Sequence, residues 1–319
     1  MRVKKVFVTG AMGFIGFHWC KKLLENGYEV YAIDIKKNNQ KLNHHKKFRY
    51  YRDSVFNYDL VRKLIKNSDL TCHFAGIASP KEYLINTTKV IDLTVNPSLV
   101  IVNTCAKYNK KLFFTSTSEI YGKSTEFPFT EEGNRYLGST STRRWCYSTA
   151  KALVEHAIFA KLSNKKKKFI IYRLFNIYGY GLKGRVVDIF FEKALKNKDL
   201  EIFGTGREKR CFLYIDDCIE IFFQILQKNK FNNQILNIGN NKEEKILSLA
   251  KKIIKISNSK SKIKIKSKYA KNTMKKQGFE DILRRIPSIV RLNKTLKYKP
   301  KTNLVEGLKL ILKEMQKNI

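Results

Sequence analysis

Residues 6–16, VFVTGAMGFIG, set Gly10, Gly13 and Gly16 between a short β-branched run and an amphipathic stretch. Few folds accommodate that order. Glycines there permit a tight turn and let the backbone approach a pyrophosphate, while the following helix N-terminus adds N–H donors and partial positive charge. A glycine triplet alone is a weak signal, but here a strand precedes it and a helix follows. Asp34, closing the next apolar run YEVYAID, stands at the distance expected for a ribose contact. A carboxylate there accepts from a ribose diol and repels a 2′-phosphate, so the sequence predicts NAD rather than NADP. Phe14 and Ile15 in the turn, Asp53 and Ser54 after the third run, Ala75 and Gly76 after the fourth, and Tyr147 and Lys151 further on complete the expected cofactor contacts. Asp53 reads equally well as a turn residue.

The first 180 residues alternate such runs with helical patterns. KKVFVTG, YEVYAID, KFRYYRD, LTCHFAG, KLFFTST and KFIIYRL read as buried strands. FIGFHWCKKLLENG, VFNYDLVRKLIKN, VNPSLVIVNTCAKYN and YSTAKALVEHAIFAKLS read as amphipathic helices. Strand–helix–strand repetition implies parallel strands joined by right-handed crossovers. The expected fold is α/β: a Rossmann-type doubly wound parallel sheet over 1–180, with a smaller α/β substrate-binding lobe over 181–319. No Pro/Ser-rich linker separates them, so the two are expected to interleave.

Sixty-four basic against 27 acidic residues give a formal charge of +37, which invites a nucleic-acid partner. Lysine is abundant everywhere, including stretches such as KISNSKSKIKIKSKYAK, and no nucleic-acid reading motif occurs, so compositional bias explains the charge and no nucleic-acid partner is expected. Six scattered cysteines without a Cys-x-x-Cys pair argue against zinc or a disulfide framework and suit a reducing cytosol. The start, MRVKKVFVTG, lacks the apolar stretch of a secretion leader, and no run approaches a membrane span. A cytoplasmic protein without metal or membrane is expected. His18, His73 and His156 lie in apolar patterns and read as packing residues.

Tyr147 and Lys151 are four apart in RWCYSTAK, one helical turn, so both face the same way. An ammonium beside a phenol favours the phenolate and makes it a base. Tyr-x-x-x-Lys recurs by chance on helices. Preceded by STSEIYG at 116–122, after an apolar strand, it becomes a candidate catalytic pair, with Thr117 placed to share the hydrogen bond.

The G-x-x-G-x-x-G spacing, STSEIYG and Tyr147-x-x-x-Lys151 together resemble the extended short-chain dehydrogenase/reductase family, and more narrowly its NAD-dependent nucleotide-sugar epimerases, dehydratases and decarboxylases. GIASPKEYLIN (76–86), Arg144 three before Tyr147, KRCF (209–212) and GRVV (184–187) are most similar to UDP-glucuronate decarboxylases. The resemblance implies that Tyr147 takes a sugar hydroxyl proton as hydride leaves the same carbon. It implies Ser118 and Glu119 beside the reacting carbons, Tyr83 and Arg210 near the acidic end of the sugar or the diphosphate, and Arg144 among the substrate-binding residues. Asn176 would hold phosphates, and Arg185, Val187 and Arg285 would line the nucleotide. Glu119 and Arg210 compete for the role of directing protonation.

The reaction it implies is oxidation at C4 and decarboxylation to UDP-xylose or a 4-keto pentose. The 4,6-dehydratases, 4-epimerases and 4-dehydrogenases remain open alternatives on the same pair. A non-catalytic nucleic-acid-binding Rossmann protein is the alternative from another class, and it would have no use for Tyr147 and Lys151. Family likeness also implies a homodimer through VNPSLVIVNTCAKY and YSTAKALVEHAIFAKL.

Overall fold

The computed structural model describes residues 3–38, 40–164, 168–230, 233–266, 282 and 284–317. In chain order the first half runs β1 (Lys5–Thr9), α1 (Phe14–Glu25), β2 (Glu29–Asp34), α2 (Gln40–Asn43), β3 (Phe48–Arg52), α3 (Tyr58–Lys66), β4 (Leu70–His73), α4 (Pro80–Ile85), α5 (Thr87–Lys107), β5 (Lys111–Thr117), α6 (Cys146–Leu162) and β6 (Phe169–Leu174). Then come β7 (Asn176–Tyr178), α7 (Val186–Ala194), β8 (Leu200–Phe203), β9 (Lys209–Tyr214), α8 (Ile215–Gln227), β10 (Gln234–Ile238), β11 (Glu243–Lys245), α9 (Ile246–Ile256), β12 (Ile263–Lys266) and β13 (Arg284–Arg285). Helices over Val290–Leu296 and Leu304–Gln316 follow.

Two compact units share the chain. The first takes residues up to Gly122 with Leu137–Leu174 and Ile219–Leu236; the second takes Lys123–Tyr136, Phe175–Cys218 and the chain from Asn237 on. The first unit carries a seven-stranded sheet in the order β10-β6-β5-β4-β1-β2-β3, with parallel pairing from β6 through to β3. Strand order reverses between β1 and β4, where doubly wound sheets bind their ligands.

The sheet forms because its central strands can be apolar on both faces: every residue of β4 and β5 is buried. Neighbours in β5 point opposite ways. Phe114 joins Ile171, Ile101, Val154 and Ile158 in a core with α5 and α6. Phe113 meets Trp19 of α1 at 6.2 Å, and Trp19 meets Phe222 of α8, which stacks on Tyr172 at 4.1 Å. Helices therefore cover both faces.

The apolar segment read over 95–109 lies on a helix that starts earlier than its sequence suggests and ends at Lys107. α5 begins at Thr87 and carries Pro97 inside it. Proline removes one intrahelical hydrogen bond, and burial of Val90, Thr94, Pro97, Ser98 and Ile101 along the helix offsets that loss.

A buried ion pair ties β6 to α6 in this unit. Arg173 donates to Glu155 twice, at 2.7 and 3.1 Å, and to the Tyr121 hydroxyl at 3.1 Å. Burial works against the charge on Arg173, but the Glu155 carboxylate more than offsets it and raises the pKa. Glu155→Gln leaves that guanidinium buried without its counter-charge and should cost about 3–5 kcal/mol. Urea unfolding checks this, and a loss below about 1 kcal/mol would mean that water reaches Arg173 freely.

In the second unit β9 pairs with β7, β11 and β13, while β8 pairs with β12. Arg285 of β13 sits in register with Arg210 of β9.

Candidate active site

The glycine turn is built by exclusion. Gly10 has φ +67°, and a Cβ on it would lie 2.7 Å from the Ala75 nitrogen. A Cβ on Gly16 would lie 2.1 Å from the Gly10 carbonyl oxygen. The turn thus closes against the end of β4 and delivers the chain to α1, whose N-cap is Gly13. Phe14 and Ile15 open the helix, half-buried. Asp34 ends β2 and fastens the same turn, accepting from the Met12 amide at 2.9 Å and the Lys36 amide at 3.1 Å. A carboxylate offers about four lone-pair sites, so capacity for a ribose diol remains. Asp53 accepts from the Ser54 amide and the Asn57 side chain, both at 2.6 Å, and so organises the entry to α3.

Tyr147 and Lys151 lie on the first turns of α6, 4% and 3% exposed. Lys151 Nζ donates to the Thr115 carbonyl of β5 at 2.8 Å and stands 5.9 Å from the Tyr147 ring centroid. Thr117 ends β5 and caps the following turn, its Oγ1 accepting from the Glu119 amide at 3.1 Å. Beneath them His73 is sealed in: Nδ1 pairs with Thr9 at 2.7 Å and Nε2 with Ser98 at 2.8 Å. Burial and the nearby Lys151 charge push its pKa down to about 3, so it adds no positive charge to the site.

Burial pushes Lys151 from 10.5 to about 7, with Glu155 opposing the shift. Between those values the unfolded chain holds a proton that the folded chain has lost, so stability rises with pH across that window. The Tm advantage of Lys151→Met over the wild type should be largest below about pH 7 and shrink toward about pH 10. A pH-independent difference would overturn the assignment.

Arg144, expected as a sugar contact, donates to Glu119 Oε2 at 2.9 Å, with the two side chains 3% and 12% exposed. Ser118, beside Glu119, is buried. Tyr83 stacks its ring on Tyr147. The first unit therefore gathers Tyr83, Thr117, Ser118, Glu119, Arg144, Tyr147 and Lys151 around the C-terminal end of β5, with Gly76 beside Lys151.

The remaining predicted residues belong to the second unit. Asn176 of β7 donates to the Cys211 carbonyl at 3.2 Å. Arg210 and Arg285 stand on neighbouring strands, with Arg285 buried. Arg185 is the N-cap of α7, and Val187 is buried within that helix. Sequence reasoning passed over Arg143, Arg173 and Glu155. Arg173 left a signal, a lone charge inside the apolar run FIIYRL, which calls for a buried partner. Among the described residues no group of His, Cys, Asp or Glu could hold a metal, and no helix is long and apolar enough to cross a membrane.

A doubly wound sheet, a glycine cradle under α1 and a Tyr147–Lys151 pair against β5 define an NAD-dependent enzyme of the short-chain dehydrogenase/reductase class. The chain belongs to the NAD dependent epimerase/dehydratase family, whose pattern matches residues 6–239. It is 35% identical to the bifunctional polymyxin resistance protein ArnA of Wigglesworthia glossinidia brevipalpis, over 97% of this chain and 51% of that protein, so it spans about half of ArnA. It is 30% identical to the UDP-N-acetyl-alpha-D-glucosaminuronate decarboxylase of Bacillus cytotoxicus, over 96% of each chain. Among solved structures it resembles the UDP-glucuronic acid 4-epimerase of Bacillus cereus in complex with UDP-glucuronic acid and NAD: TM-score 0.87, 25% identity, 99% of this chain and 100% of that one. NAD is the cofactor, and the cradle that side chains at Gly10 and Gly16 would fill, with Asp34 at its edge, fits it.

Proposed function

We propose that this chain oxidises a UDP sugar at C4, with UDP-glucuronate as substrate and loss of its carboxyl group as CO2. The observation that carries this reading is the placement of Tyr147 beside Lys151, with Lys151 pinned to β5 and the Arg144–Glu119 pair on the adjoining turn. Similarity to a sugar-acid decarboxylase along the whole chain supports the substrate class.

NAD, when bound, supplies the acceptor for the C4 hydride. Tyr147 takes the proton of the C4 hydroxyl and leaves a ketone, with Thr117 sharing that hydrogen bond. The ketone lies β to the carboxylate, so the C5–C6 bond breaks, CO2 departs and the electron pair forms an enolate. Tyr147, now protonated, donates to the enolate oxygen. A proton delivered to C5, under the direction of Glu119 or Arg210, completes the 4-keto pentose. Ser118 adjoins Glu119 at the reacting carbons. Asn176, Arg185, Val187, Arg210 and Arg285 serve the phosphates, the nucleotide and the sugar carboxylate, with arginine suited to such anions.

Incubation with NAD and UDP-glucuronate, followed by product mass and NADH absorbance, tests this. Loss of CO2 supports decarboxylation. Release of NADH in step gives the free keto sugar, and no net NADH gives UDP-xylose. An unchanged mass with inversion at C4 favours the epimerase reading, which the likeness to the Bacillus cereus enzyme keeps in view.

The working unit in this reading is a homodimer in a reducing cytosol. Ile91 of α5 and Leu153 and Phe159 of α6 are 40%, 50% and 36% exposed, apolar side chains on the two helices expected to pair. All six cysteines are free, as a cytosolic protein requires.

A further inference from the structure

Tyr147, Lys151 and Glu155 recur at four-residue steps along α6, so one face of the helix carries a phenol, an amine and a carboxyl group in turn. All three are buried. Helical side chains lean toward the N-terminus, which inclines Glu155 toward the turn that bears Lys151.

Arg173 of β6 grips both oxygens of that carboxylate, Nε on Oε1 and Nη2 on Oε2, while its Nη1 donates to Tyr121. A planar fork fixes the orientation of a carboxylate in a way that a lysine does not. It also keeps the group ionised, because a buried carboxyl without a cation beside it takes up a proton. Tyr121 closes the turn Ser118–Tyr121 that follows β5, and Arg173 stands in register with Ser116 of that strand. One guanidinium thus joins the helix of the catalytic pair to the turn that carries Ser118 and Glu119.

Lys151 has a use for such a neighbour. Its hydrogen bond to the sheet goes to the Thr115 carbonyl, which carries no full charge. The Phe114 ring of β5 lies 4.5 Å from Nζ. His73, which faces it from β4, is neutral above about pH 3. Burial drives Lys151 toward the neutral amine, and the Glu155 charge opposes that. The groups that bear on the ammonium are therefore Tyr147 and Glu155 on its own helix, His73 from the sheet, and Arg173 through Glu155.

We propose that Glu155 is a positioning residue for Lys151: clamped by Arg173, its carboxylate is the buried counter-charge that keeps Lys151 an ammonium beside Tyr147. Its use in the reaction rests on Tyr147 and Lys151 being the catalytic pair. With Tyr147 ionised, charge alternates inward: minus on Tyr147, plus on Lys151, minus on Glu155, plus on Arg173.

The test follows kcat against pH on UDP-glucuronate, or on whichever UDP sugar the wild type oxidises. In parallel, NMR of protein labelled with 13C at lysine Cε follows Lys151 itself, whose resonance is the one missing from Lys151→Met. Wild type is compared with Glu155→Asp, Glu155→Gln and the double variant Glu155→Gln, Arg173→Met. Loss of the negative charge favours the neutral amine, so Lys151 gives up its proton at lower pH. In Glu155→Gln its titration and the alkaline limb of kcat should both move down by about one pH unit or more. On that limb kcat falls about tenfold at a given pH, with KM changed less than about threefold. If Glu155→Gln does not fold, the double variant, which leaves neither charge buried without its partner, decides and should shift the same way. Glu155→Asp keeps the charge and should leave Lys151 titrating near its wild-type pH.

A merely structural clamp would lose stability in the single variants and leave the Lys151 titration in place. An unmoved titration in Glu155→Gln and the double variant overturns the proposal, as does a shift in Glu155→Asp as large as in Glu155→Gln. A wild type that oxidises no UDP sugar overturns the catalytic reading instead. The NMR titration needs no substrate and still decides on Glu155, so the two failures are told apart.

Discussion

Tyr147→Phe should lower kcat by about 10²–10⁴-fold, the range that a positioned proton acceptor contributes. The substitution removes one oxygen and keeps the ring, so the stack on Tyr83 persists and the packing around Val90 is undisturbed. NAD affinity should be nearly unchanged, because the cradle of Gly10, Gly13, Gly16 and Asp34 is built by other segments. Steady-state kinetics and NAD titration on the same preparation check both halves. A kcat within about tenfold of the wild type would remove Tyr147 from the proton path and give that role to another donor of the site.

Gly16→Ala should be the most damaging single methyl in the first unit. Its Cβ would lie 2.1 Å from the Gly10 carbonyl oxygen and 2.9 Å from Ala11 Cα, and both neighbours are backbone. Relief therefore means moving the turn itself, against the hydrogen bonds from the Gly10 and Ala11 amides to Ile33 O and from the Met12 amide to Asp34. The strain should cost about 3 kcal/mol of stability. If the same displacement appears in binding, NAD affinity falls about a hundredfold at 1.4 kcal/mol per decade. Urea unfolding and NAD titration measure the two losses separately. A variant as stable as the wild type and saturating at the same NAD concentration would show that this turn does not form the cradle.

What was legible in the sequence was local. The six apolar runs of the first 180 residues are β1 to β6, and the central ones stand out because strands covered on both faces need apolar side chains throughout. Tyr147 and Lys151 could be paired because one helical turn separates them. Contacts between residues far apart in the chain left no such trace. Arg144 reaches Glu119 across 25 positions, and nothing in either segment announces the other. Tyr83 meets Tyr147 across a longer separation, in a chain with 16 tyrosines to choose among. The apolar pattern of α5 starts at residue 95 and already includes Pro97; the turns from Thr87 onward, and the tolerance of a proline inside the helix, depend on burial that only the fold supplies. The strands of the second unit are two to six residues long, too short for periodicity to declare them all.

The division of the chain bears on its synthesis. It passes from one unit to the other at Gly122, Tyr136, Leu174, Cys218 and Leu236, so neither unit is a continuous stretch of polypeptide. The sheet is completed by β10, made more than fifty residues after β6, the strand it pairs with. While the nascent chain is shorter than that, β6 presents an open edge, with N–H and C=O groups ready to pair with another strand. Synthesis halted within α8 would leave a chain with α6 already made and its sheet still unsealed, a species for chaperones to hold rather than a working half-enzyme.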